Sequence, residues 1–148
     1  MPDVNGSLSG SKSANVGLLI LRVGIGAVFV VHGVPKLLGG PAKWEELGGA
    51  MGVFGITFAP VFWGLMCAIA EAVGGLALVL GLLVRPFAIM MCITMVVATA
   101  LLISLDKGWG MVAHPLSLGI VFLALAFTGG GRLALGTLVT PLAGRWYR

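Results

Sequence analysis

Arg22, His32, Lys36 and Glu71 stand inside or at the ends of long apolar stretches, in a 148-residue chain with only nine Lys and Arg and five Asp and Glu. A charge at bilayer depth costs about 2.5–3.5 kcal/mol on insertion scales. It persists mainly where it is paired, faces a bundle interior or serves a function. Glu71 is the one acid inside an apolar segment, and as a carboxylate it is the candidate proton acceptor and catalytic group. His32 and Lys36 near the end of the first segment, and His114 at the start of the last, are types that together suit an anion or a quinone head group. Each alone also suits an interfacial anchor, and His114 before Pro115 fits a helix start.

On a helical wheel, Gly26, Phe29, Gly33 and Lys36 fall within about 40° of Arg22, and His32 about 80° away. The polar groups and two glycines of the first segment thus share a face that suits another helix, leaving Ile20, Ile25, Val28 and Val31 for lipid. Around Glu71 the residues at i−4, i−3, i+3 and i+4 are Cys67, Ala68, Gly74 and Gly75, all small, so the carboxylate points into a helix seam. Measured from the middle of each segment, Arg22 and Glu71 differ in depth by roughly 6 Å. An Arg22–Glu71 ion pair follows, either fixing helix register alone or belonging also to a site.

Cys67 and Cys92 lie alone in different apolar segments, with depths about 10 Å apart, beyond disulfide geometry. They read as small packing residues, and no His/Cys spacing suggests a metal site.

The elements that position these residues follow from composition. With 59% apolar residues and a mean hydropathy of +1.10, the chain lacks the polar surface of a soluble domain. Residues 1–15, rich in Ser, Gly and Asn, read as a mobile tail. Apolar segments follow at about 16–34, 60–84, 86–105 and 115–128; the last is short for a span of ~20 residues and must borrow from 109–114 or beyond Gly129. Residues 42–54 place Trp44, Leu47, Met51 and Phe54 at helical spacing opposite Lys43, Glu45 and Glu46, a short amphipathic surface helix. The fold expected is an all-α, antiparallel four-helix transmembrane bundle, with a membrane domain over 16–136 and a basic tail over 137–148.

Four spans put Lys12, Arg85, Arg132, Arg145 and Arg148 on one side. Lys36, Lys43 and Lys107 share the other with Glu45, Glu46 and Asp106. The positive-inside rule then places both termini in the cytoplasm of an inner-membrane protein. The charge of +4 is scattered singly at segment ends, with no basic stripe for nucleic acid.

The run LLILRVGIGAVFVVHGVPKLLGG (18–40), Glu71 in an Ala/Gly-rich second span, the Gly81–Pro86 hinge, and a His opening the last span before Gly-Gly-Arg together resemble the DoxX family of small four-span membrane proteins. One departure is that Arg132 is followed by Leu133 and Ala134, where relatives often carry Ser-Leu-Asp. The resemblance implies that Arg22, His32, Lys36 and Glu71 form the polar core. It also implies a redox-associated subunit offering a quinone, or a similar amphipathic ligand, a polar pocket. No haem-binding CxxCH, Fe–S cysteine set or dinucleotide fingerprint stands in the chain, so the electron carrier would sit on a partner. If catalytic, the chain is a subunit of a membrane quinone-linked oxidoreductase. The alternative is a non-catalytic accessory or assembly subunit, with membrane-complex partners or further copies of itself.

Overall fold

Apolar runs of this length can satisfy their backbone in a bilayer only as helices or closed barrels. The computed structural model, which describes residues 4–139 and the side chains of 12–137, is helical throughout, with no strand among the described residues. The elements are α1 (Val4–Leu38), α2 (Gly40–Gly48) continued by a 3-10 segment (Gly49–Phe54), α3 (Pro60–Leu80), α4 (Val84–Ser104), α5 (Trp109–Thr128) and a last short turn, α6 (Gly136–Val139). Lys12–Leu38, α3, α4 and α5 are each long and apolar enough to cross a membrane.

α3 is the packing centre. It lies antiparallel to α1, and the contact is made by absent side chains. A Cβ on Gly26 would meet the carbonyl of Gly75 and the side chain of Val79, and one on Gly33 would collide with the backbone of Glu71 and Ala72. Such close approach lets dispersion contacts hold helices where lipid offers no hydrophobic drive. α4 packs on the far side of α3, with Phe87 and Met91 over Gly74. α5 packs on α4 and closes the bundle where Phe122 meets Phe29 edge to face, centroids 4.9 Å apart. Leu78, Met91, Phe122 and Leu125 are buried between the helices.

The bundle has two distinct ends. At the hinge end lie the start of α1, the Gly81–Leu83 turn and residues 129–136. The Arg132 amide donates to Asn15 Oδ1 at 2.8 Å there. At the loop end lie α2, the 3-10 segment and the 105–108 turn. α2 is clamped on α3, since a Cβ on Gly64 would collide with the backbone of Trp44 and one on Gly48 with that of Pro60.

Several boundaries differ from the sequence expectation. α1 is helical from Val4, within the stretch that composition assigns to a tail. It also continues through Pro35 to Leu38; a proline so near the end costs little beyond the one bond to Val31. The fourth span borrows 109–114: α5 starts at Trp109, so His114 and Pro115 lie in its second turn rather than at its start. On α1, Ile20, Val28 and Val31 are exposed as expected, but Ile25 packs against the core. Of the basic tail, residues 140–148, with Arg145 and Arg148, lie outside the described residues.

Candidate functional site: a buried ion pair at one end of the bundle

Glu71 is 3% exposed, and its partner is Lys36. The ammonium donates to both carboxylate oxygens, at 2.7 Å to Oε1 and 2.6 Å to Oε2. Lys36 reaches it because Gly33, one turn earlier, brings α1 against the backbone of Glu71 and Ala72. The tip of α1 is held in turn by α2, whose Trp44 donates Nε1–H to the Lys36 carbonyl at 3.0 Å. The pair is asymmetric in access: the Lys36 side chain keeps 29% of its exposure and that of Glu71 only 4%. A ligand approaching from outside meets the Lys36 side chain before the carboxylate.

Two further groups complete the site. Cys67, one turn before Glu71, donates its thiol weakly to Oε1 at 3.8 Å. The Thr94 hydroxyl of α4 contacts that thiol and donates to Met90 O at 3.1 Å. The spacing of Cys67 and Glu71 was legible in the sequence, because i and i+4 share a helix face. Thr94 carried no such signal, since its place depends on how α4 docks on α3. Chemically, the cluster sets an N–H donor and a carboxylate acceptor within 3 Å of each other. That arrangement suits a carbonyl or hydroxyl head group able to exchange a proton.

Arg22 does not pair with Glu71, which corrects the expected Arg22–Glu71 ion pair. It is buried, 1% exposed, and Nη1 donates to Leu78 O at 3.2 Å and Val79 O at 3.0 Å, while Nη2 donates to Leu133 O. Those α3 acceptors lie seven and eight residues beyond Glu71, about 10–12 Å along the helix. Aligning the segments at mid-depth fails because the first turns of α3 pack on α2. α1 is left to pair with the second half of α3. The guanidinium therefore caps a helix C-terminus, where unpaired carbonyls and the helix dipole favour a cation.

His32 and His114 are exposed. The Nδ1 of His32 bonds Val28 O of its own helix at 2.9 Å, and neither histidine hydrogen-bonds the Lys36–Glu71 pair. Of the five candidates the structure thus joins two. Among the described residues no three of His, Cys, Asp and Glu come together as a metal site. Both cysteines are free, and Cys92 donates to Gly119 O on α5.

Residues 17–104 match the family model described as DoxX. The chain is also 30% identical over 129 residues, 87% of its own length and 91% of the relative's, to "Putative oxidoreductase CatD" of Bacillus subtilis (strain 168). No solved structure matches.

Proposed function

The chain belongs to the DoxX family, and from that premise we propose that it is a redox-associated membrane protein whose Lys36–Glu71 pair receives the head group of a quinone or similar amphipathic ligand. The observation that carries this reading is the asymmetric burial of the pair, a closed Glu71 carboxylate behind a partly exposed Lys36 side chain. Lys36 donates to a ligand oxygen and Glu71 accepts or returns a proton. Cys67 and Thr94 line the protein side. Electrons come from a partner that holds the cofactor, a reading supported by the oxidoreductase in the relative's printed name. The sequence's excess of Lys and Arg in the termini and the 85 hinge, Arg145 and Arg148 included, supports an inner-membrane protein with both termini cytoplasmic, the site facing the outer leaflet.

The test compares membranes with and without the gene, and the wild type with Glu71→Gln. We expect quinone reduction to fall on deletion and on Glu71→Gln, with the variant still folded. Unchanged reduction in both, and purified protein that retains no quinone, would sink the reading.

A second reading, a non-catalytic subunit, is favoured by α1. Gly17 and Gly24 are exposed, and a Cβ on either would meet nothing within 4 Å. They pack against none of the described residues, and small residues suit close helix approach by a neighbour. On this reading Glu71→Gln keeps its co-purifying partners in mild detergent and loses no activity.

A further inference from the structure

At the loop end, with neither Lys36 nor Glu71 on its wall, a concavity of about 280 Å3 opens between α2, the 3-10 segment and the turn into α3. Glu45, Gly49, Gly52, Ile56, Thr57 and Pro60 stand on its wall.

Three observations define what would fill it. The first is charge. Lys43 and Glu46 neutralise each other at 2.8 Å, whereas Glu45 pairs with none of the described residues, so α2 keeps one uncompensated acid and it lines this space. The second is room. A Cβ on Gly49 or Gly52 would meet nothing within 4 Å, and Gly49 has ordinary right-handed helical angles, φ −56 and ψ −24. At Gly49, then, neither packing nor backbone calls for glycine, which weakens a helical turn relative to alanine. What the missing side chains at both positions do is keep the concavity open. The third is depth. Pro60, on its wall, opens a span, and Trp63, three residues on, packs edge-on against Phe58 and Phe62. A tryptophan in the first turn of a span marks the headgroup level of a bilayer.

We propose that this concavity binds the ammonium head group of an ethanolamine phospholipid. The ammonium sits on Glu45, the Thr57 hydroxyl offers a donor to the phosphate, and the glycine wall accommodates the glycerol. A primary ammonium complements the carboxylate by charge and by three N–H donors. A lipid is favoured over a soluble amine because the wall reaches Pro60, where a span begins, close to headgroup depth. The proposal is independent of the ligand at Lys36–Glu71.

The test is native mass spectrometry of the full chain in detergent with equimolar phosphatidylethanolamine and phosphatidylglycerol of matched acyl chains. The wild type is expected to retain the ethanolamine lipid about fivefold over the glycerol lipid, the scale of one partly exposed ion pair. Glu45→Gln should remove that preference, and Gly49→Leu should lower ethanolamine-lipid retention, each with an unchanged melting temperature. If Gly49→Leu does not fold, Gly52→Ala replaces it, with the same expectation. Millimolar free ethanolamine should not displace the lipid. Equal retention of both lipids by the wild type overturns the proposal. So does a preference that survives Glu45→Gln, retention unaffected by filling the space, or binding of free ethanolamine without lipid.

Discussion

Lys36 and Glu71 owe their pairing to different constraints, and the difference predicts an unequal response to mutation. Lys36→Leu leaves a carboxylate buried on α3 with only a thiol beside it. Breaking a buried pair this way costs about 3–5 kcal/mol. Glu71→Leu leaves a lysine already 29% exposed, whose long stem can carry the ammonium to the surface, so its loss should be smaller. The double substitution Lys36→Leu/Glu71→Leu should recover most of the Lys36→Leu deficit. Thermal melts of the purified variants in one detergent check all three. A double variant as unstable as Lys36→Leu alone would mean the pair does not act as a unit. Four charged or titratable residues in apolar sequence were enough to mark Lys36 and Glu71 as members of a polar core. The partner of Glu71 was not legible, because two cations on α1 were available and the choice depends on how far α1 and α3 slide past each other.

The register between α1 and α3 is fixed by backbone contact, and so it has sensitive points far from any charge. Gly33→Leu would force α1 off the backbone of Glu71 and Ala72, separating Lys36 from its partner, and should lower the melting temperature more than Gly24→Leu, which faces open space. At the hinge end the last α3 carbonyls are each answered. Leu82 N–H donates to Ala77 O, Gly81 N–H and Arg22 to Leu78 O, Arg22 to Val79 O, Leu135 N–H to Leu80 O and Gly136 N–H to Gly81 O. Arg22→Leu orphans Val79 O and Leu133 O and should cost about 3 kcal/mol, the value of hydrogen bonds to a charged group. Arg22→Lys keeps the cation at the α3 C-terminus but not the fork, and should recover only part of the loss. Melting curves of the two variants decide it: full recovery by lysine would assign the role to charge alone. Gly81, at φ +73, is the cap glycine, and a Cβ there would strike the Arg22 guanidinium. The sequence announced these helices through their apolar length but misplaced several ends. Pro35 and Pro115 are usual stop and start signals, and here each lies within a helix because the chain around it is apolar and must stay hydrogen-bonded in lipid.

For the whole molecule, the number of spans was the most legible property, because each apolar run of about twenty residues has one fate in a bilayer. Orientation rests on a weaker and additive signal. The hinge end carries Lys12, Arg85 and Arg132, with Arg145 and Arg148 following in the sequence. Arg85 is half-buried there and reaches the α5 carbonyl of Phe127 at 3.4 Å. The loop end mixes Lys43 and Lys107 with Glu45, Glu46 and Asp106, and Lys36 is already spent on Glu71. Acids count little in translocation, so the proposed orientation rests on the sequence's five cations in the termini and the 85 hinge against three in the other connections. Single cysteines introduced at Lys12 and Lys107, in a background where Cys67 and Cys92 are replaced by Ala or Ser, test parity and orientation together. In intact cells a membrane-impermeant maleimide should label position 107 and not position 12, and permeabilisation should expose position 12. Labelling of both from outside would break the four-span topology. Labelling of position 12 alone would keep the bundle but invert it, and would move the open side of the Lys36–Glu71 pair to the cytoplasmic leaflet, where a partner holding the electron carrier would have to meet it.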